Sequence, residues 1–285
     1  MAFPTPDPDA WRALHAARPK RWAPLLAAFA DAWQLPVAPT ARLPGGEDCV
    51  AFAHGVDRVI KILAPGTDPA RELDLLGRVR LPVPTPRVLG HLEIGGWQGL
   101  LLVRLPGVTL EQAWPTMPEP DRLRVLRELG AVSPILAAVD PPRSTPRPDL
   151  VGRAMLRFGI ETLASLADSL PRQESVFLHG DLTDDNTFGV EGPDGWHLSG
   201  VLDFAGSYVG PPLVELIAPA VFFVRGHPAR LTALLEGAGV SPTADQLATA
   251  HLLHPYAALA RDVPLLGGEG DSVAALRTAW ARLVG

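Results

Sequence analysis

Three oxygen-bearing side chains stand at spacings that suit metal and proton chemistry. They are Asp181, Asn186 five residues later, and Asp203 seventeen residues after that. An apolar run, Val176-Phe177-Leu178, delivers His179-Gly180-Asp181 to a turn, and a second, Val201-Leu202, delivers Asp203. Between them Thr187–Val190, the turn-rich Glu191–Gly195 and Trp196–Leu198 read as a β-hairpin. The hairpin would bring the three side chains towards one point. Magnesium takes hard oxygen ligands and keeps several waters, so an Asp and an Asn carbonyl beside phosphate oxygens suit it. A further Asp, not consumed by a metal, can accept a proton from an attacking hydroxyl. Each piece alone also fits an ordinary turn, where Asp, Asn and Gly are common.

The ordered set resembles the protein-kinase catalytic loop, in which an Asp is followed by an Asn and, after a short hairpin, by a metal-binding Asp. With His-Gly-Asp in place of His-Arg-Asp, it more closely resembles the aminoglycoside phosphotransferase and choline kinase-like family of small-molecule kinases. The resemblance implies that Asp181 is the catalytic base and that Asn186 and Asp203 hold Mg2+. It implies ATP or GTP as co-substrate and a small hydroxylated molecule as acceptor. It also makes His179 a structural residue bonding loop backbone. Two positions depart from the family pattern. Ala205 follows Asp203-Phe204 where Gly is usual, and Glu215 stands where the family usually has Asp. Neither removes a catalytic group.

The phosphate site has to come from the first part of the chain. Gly45-Gly46 lie between strand-like segments, and paired glycines let backbone N–H groups approach a phosphate, although a plain hairpin turn uses them too. In Val59-Ile60-Lys61-Ile62-Leu63, strand alternation puts Lys61 on a face with Val59 and Leu63. An edge-strand lysine is one reading; the resemblance makes Lys61 the phosphate-binding lysine. Its partner would be Glu72, four residues before Leu76 on a helix predicted over Asp68–Arg80. The resemblance also makes Leu101–Gly107 the hinge, with backbone groups near Val103 and Leu105 bonding the nucleotide base.

The elements in order are strands, then helices, which indicates an α+β chain. The resemblance implies a bilobal protein-kinase-like fold. Residues 1–105 would form the N-lobe, an antiparallel sheet plus a helix, preceded by one or two short helices over Ala10–Leu35 interrupted at Pro19 and Pro24. Residues 106–285 would form a mainly helical C-lobe carrying the catalytic β-hairpin. Helices are expected over Glu119–Val139 (kinked at Pro134), Val151–Leu170, from about Leu213, Pro228–Glu236, Thr243–Asp262 and Asp271–Leu283.

Composition narrows the function classes. An apolar fraction of 47% and a charged fraction of 20% over 285 residues are those of a globular protein. The formal net charge of −6 leaves no general basic surface for nucleic acid. No stretch approaches a membrane span or a signal peptide. A single cysteine, Cys49, fits a reducing compartment, so a cytoplasmic location is expected. His251 and His254 lie three apart without a third ligand in view, which favours a core or surface pair over a metal site. A polycationic acceptor would need acidic walls, for which Asp184, Asp185, Glu215 and Asp262 are available. Macrolides, choline-like amines, homoserine and sugars stay open. The alternative from another class is a nucleotide-binding pseudokinase acting as a partner module. A protein kinase is disfavoured, since no Ala-Pro-Glu segment follows Asp203.

Overall fold

The computed structural model describes residues 6–15, 21–44, 49–159, 161 and 174–285. Gly45, Gly46 and Pro19 lie outside them, as does most of the expected helix beyond Phe158. The chain forms two compact units, 1–77 with 86–105 and 78–85 with 106–285.

The first unit is a five-stranded antiparallel sheet between helices. Two helices, α1 (Pro8–His15) and α2 (Ala23–Ala32), precede the strands β1 (Thr40–Arg42), β2 (Cys49–His54) and β3 (Arg58–Leu63). Helix α3 (Pro69–Arg78), β4 (Val88–Ile94) and β5 (Trp97–Val103) follow, and the strand order is β1-β2-β3-β5-β4. Pro24 starts α2 rather than interrupting it, because a missing N–H costs nothing in a first turn. Alternation along β3 gives two apolar faces. Ile60 and Ile62 pack with Trp22, Leu25, Phe29 and Trp97, so the N-terminal helices are a packing element for the sheet. Val59 and Leu63 pack on the other side with Leu73 of α3 and Leu102.

The second unit is mainly helical. Strand β6 (Val108–Thr109) and helix α4 (Leu110–Ala113) lead to α5 (Glu119–Gly130) and α6 (Val132–Ala137), then α7 (Leu150–Phe158). The break falls at Ala131, not Pro134; Pro134 sits in the first turn of α6, where its absent N–H is no loss. Gly159, at φ 92°, follows Phe158, the last residue of α7. Strands β7 (Val176–Leu178), β8 (Thr187–Gly192), β9 (Gly195–Val201) and β10 (Tyr208–Gly210) frame the site. β6 and β10 are too short to carry a periodic signal, and Tyr208–Gly210 lies where the sequence suggested the approach to a helix.

Short helical turns over Pro212–Val224 are followed by α8 (Pro228–Ala238), α9 (Ala244–Leu253), α10 (Leu259–Leu265) and α11 (Val273–Val284). The single helix expected over Thr243–Asp262 is two. Pro255 disfavours helical geometry at His254, which is extended at ψ 129°. No described helix is long and apolar enough to cross a membrane.

Helix α5 carries the site's hairpin. Glu128 accepts from Leu198 N–H at 2.6 Å and bonds His197 Nδ1 at 2.8 Å. In turn α5 packs backbone-close on α8: a Cβ on Gly130 would lie 2.1 Å from the Leu234 carbonyl oxygen. Gly130→Ala should therefore destabilise by about 1–3 kcal/mol, the range for overpacking. This is expected although alanine is the better helix former by about 1 kcal/mol. Urea unfolding measures it, and an unchanged or raised midpoint would mean that the two helices can separate freely.

Candidate active site

The loop His179–Asn186 is clamped between two antiparallel pairings. β7 enters it and pairs with β10, placing Leu178 opposite Tyr208. β8 leaves it and pairs with β9, placing Thr187 opposite Val201. One further bond, Leu202 N–H to the Asn186 carbonyl at 2.9 Å, continues that ladder. Asn186 is thereby held beside the chain that delivers Asp203, across seventeen residues of sequence. The hairpin that alternation predicts is the element that does this.

Inside the loop the bonds are specific. Asn186 Nδ2 donates to Asp181 Oδ2 at 2.9 Å and to the Asp181 carbonyl at 3.0 Å. Because the amide nitrogen serves Asp181, the amide oxygen of Asn186 is the group left to meet a cation. His179, fully buried, donates from Nε2 to the Leu202 carbonyl at 2.9 Å and accepts the Asp181 N–H at Nδ1, 3.2 Å. A carbonyl can only accept and an N–H can only donate, so the ring is neutral with its proton on Nε2. Burial pushes its pKa down to about 4, which keeps it neutral at ordinary pH. Gly180 has φ 76°, and a Cβ there would lie 2.3 Å from the Tyr208 ring. Only glycine fits between the histidine and the aspartate here.

The charges are crowded. Burial pushes the Asp181 carboxyl up to about 6, and the Asp185 and Asp203 charges push the same way. Asp203 adopts left-handed backbone, φ 66° and ψ 69°, a region that costs a non-glycine residue of order 1–3 kcal/mol. Among the described residues no three His, Cys, Asp or Glu side chains form a metal-holding group. One carboxylate and one amide oxygen, beside two more carboxylates, is instead the sparse hard-oxygen set that a magnesium ion shared with phosphates requires. A dication here would also offset the repulsion among Asp181, Asp185 and Asp203.

In the first unit Lys61 Nζ lies 2.6 Å from Glu72 Oε1, with both side chains about nine-tenths buried. Strand phase and helix phase thus bring these two residues together. Of the two residues expected to contact the nucleotide base, Val103 has its N–H committed to the Arg87 carbonyl at 2.9 Å. That donor is removed from any base contact, while Leu105 follows it as a buried residue.

Residues 151–252 match the family model described as APH, phosphotransferase enzyme family. Solved structures align over most of the chain. The GDP complex of wild-type aminoglycoside 2'-phosphotransferase-IIIa is 15% identical at a TM-score of 0.64, covering 91% of this chain and 98% of its own. The streptomycin-ATP-APH(2'')-IIa ternary complex is 14% identical at 0.56, covering 82% and 91%. An aminoglycoside-3'-phosphotransferase of type VIII is 20% identical at 0.56, covering 81% and 97%. The fold is that of the aminoglycoside phosphotransferases. Its antiparallel first sheet and helical second part are the kinase-like architecture that the loop residues implied.

Within this phosphotransferase fold, Glu215, which the sequence reading singled out, and two groups that it did not place at the loop, Tyr208 and His254, brace the loop. Glu215, almost fully buried, accepts from Gly180 N–H through both oxygens at 3.3 and 3.4 Å. It therefore keeps the bracing contact in spite of its extra methylene. Tyr208 packs on Gly180, and the buried His254 sits against the Gly180 backbone. The spacing of His251 and His254 left a core or surface pair open; both are buried.

Burial pushes the Glu215 carboxyl up to about 8, against the two backbone N–H groups that favour its charge. Between about pH 4.5 and 8 the folded state therefore holds a proton that the unfolded state releases, so this group lowers stability as pH rises through that window. Glu215→Gln, which cannot ionise, should gain on the wild type in melting temperature between pH 5 and pH 8.5. Glu215→Ala should melt lower at both. A glutamine variant that falls as far as alanine at pH 8.5 would show that the carboxylate charge is needed.

Proposed function

We propose that the protein is a phosphotransferase that moves the γ-phosphoryl of ATP or GTP to a hydroxyl of a small acceptor. The observation that carries this reading is the Asp181–Asn186 bond, held beside Asp203 by the β8–β9 ladder. The partial family match, and structural neighbours that are complexes with GDP and with ATP, support it.

In this reading Asp181 accepts the acceptor's proton. Its pKa near 6 leaves it mostly ionised at neutral pH yet basic enough to bind a proton as the alkoxide forms. The Asn186 amide aligns the carboxylate through its Nδ2. Asn186 Oδ1 and the Asp203 carboxylate would hold Mg2+, which when bound would neutralise phosphate charge. Lys61, oriented by Glu72, would meet the nucleotide's phosphates, with Gly45-Gly46 giving backbone donors and Leu105 a hinge contact to the base. Positioning and electrostatics would supply most of the rate, since phosphoryl transfer passes through a loose transition state. Residues 1–105 would serve the nucleotide, residues 106–285 the chemistry and the acceptor. The reading carries no requirement for nucleic acid or a membrane, and a cytoplasmic setting suits it.

The roles separate by measurement. Asp181→Asn should retain nucleotide affinity and lose roughly 10²–10⁴-fold in kcat, the range for a positioned base. Lys61→Met should raise the nucleotide KM as well as lower kcat. Asp203→Ala should abolish the magnesium-dependent part of the thermal shift with ADP, which reaches about 2.7 kcal/mol at 100 times Kd. An acceptor panel followed by ADP and GDP release finds the substrate. Full turnover in Asp181→Asn with a verified acceptor would refute the assignment. Nucleotide binding without transfer to any acceptor would favour the pseudokinase reading instead.

A further inference from the structure

In the unit that holds the loop, α7 and the end of α9 wall a cavity of about 210 Å³. Leu150, Leu252 and Leu253 give it apolar sides, and Arg153, Arg157 and His254 are its polar members. Asp181, Asn186 and Asp203 are not among the described residues that wall it, so it is not the site already described. No acidic residue is among them either. Arg153 and Arg157 lie four apart on α7 and so share a face. Both are exposed, and neither forms an ion pair among the described residues. Arg157 Nη1 donates to the Pro255 carbonyl at 3.3 Å and its guanidinium lies over the Phe158 ring at 5.7 Å, contacts that leave its charge uncompensated.

His254 adds a donor from the other wall. Its Nδ1 accepts the Tyr256 N–H at 3.3 Å, so the neutral ring carries its proton on Nε2. Burial keeps the ring neutral, lowering its pKa to about 4. Nε2 belongs to a side chain only 6% exposed, yet it has no hydrogen-bond partner at bonding geometry. Buried donors are rarely left unmade. Two guanidiniums and one N–H, with no carboxylate between them, are suited to an anion. The planar guanidinium fork matches a carboxylate through two parallel bonds. A bare inorganic anion would lose its water against the leucines without return. The volume, about seven waters at roughly 30 Å³ each, limits the ligand to roughly ten non-hydrogen atoms.

We propose that this cavity binds a small organic carboxylate, its charge on Arg153 and Arg157, one oxygen accepting from His254, and its hydrocarbon body against Leu150, Leu252 and Leu253. The site does not depend on the phosphotransferase reading. Its position concerns the loop all the same, because the His254 ring also stands against the Gly180 backbone. A ligand that engages the ring from the cavity side fixes one of the groups that brace Gly180.

The test is calorimetric titration of the full, nucleotide-free chain at low salt with benzoate, with its neutral isostere benzamide, and with inorganic phosphate. Expected is a benzoate Kd of about 1 mM or tighter, with benzamide and phosphate each at least about tenfold weaker. Arg153→Gln and Arg157→Gln, at exposed positions, should each weaken benzoate about fivefold, the weight of one exposed charge pair, at an unchanged melting temperature. Arg153→Lys, which keeps the charge and loses the fork, should fall between. His254→Phe should bind about threefold more weakly, and His254→Gln, which keeps an N–H, should not. No benzoate binding at about 10 mM overturns the proposal, as does benzamide or phosphate binding as tightly as benzoate. Wild-type affinity in both arginine variants overturns it too, since the anion would then sit elsewhere. Equal affinities in the two His254 variants would remove that donor from the site.

Discussion

A single neutral imidazole ties the site together. His179 has one N–H and one lone pair, and each is used once, on Leu202 carbonyl and Asp181 N–H. The first bond joins the loop to the strand end that presents Asp203; the second fixes the backbone from which the Asp181 side chain projects. A protonated ring would lose the lone pair and break the second bond. Burial prevents this by making the charged form costly, and the Phe204 ring 4.7 Å away is part of that burial. The residue that looks most like a general base is thus excluded from proton transfer by the contacts that make it useful.

Around that joint the structure spends stability on charge placement. Asp203 sits in left-handed backbone, Asp181 is raised by burial and then by its neighbours' charges, and Glu215 is buried with only backbone donors. Local strain and like-charge crowding persist only where the surroundings over-determine them. Here the surroundings are two short pairings, β7 with β10 and the β8–β9 hairpin, and the close α5–α8 contact beneath the hairpin. Such crowding is what a site awaiting a cation and a phosphoryl group would show, and it carries no benefit to a loop with a purely structural role.

The Lys61–Glu72 pair poses the same balance in the first unit. Removing two charges from water costs several kcal/mol, and a buried pair often returns no more than that. Its persistence is therefore weak evidence for stability and better evidence for orientation. A lysine held at 2.6 Å by one carboxylate oxygen has its ammonium group fixed in position on the strand.

Much of this was legible in the sequence because it is written in local periodicity and fixed spacing. Period two along Val59–Leu63 placed Lys61, period 3.6 along α3 placed Glu72, and the apolar runs with the intervening turn placed Asp181, Asn186 and Asp203. Turn chemistry was legible too but was overruled by the apolar pattern: the single helix expected over Thr243–Asp262 ignores Pro255, which divides α9 from α10. What the sequence could not determine is which charges remain available. Asp184, Glu215 and Asp262 look alike in a chain, each a carboxylate near the loop. Only the fold decides that Arg225 covers one, that Gly180 and burial hold the second, and that His251 and Arg261 enclose the third. Apart from Arg261, which is adjacent to Asp262, those partners lie from 11 to 41 residues away and arrive by packing of separate segments. The spacing of the loop residues depends on local order, whereas the pairing of their charges depends on packing across the tertiary structure, which no spacing rule encodes.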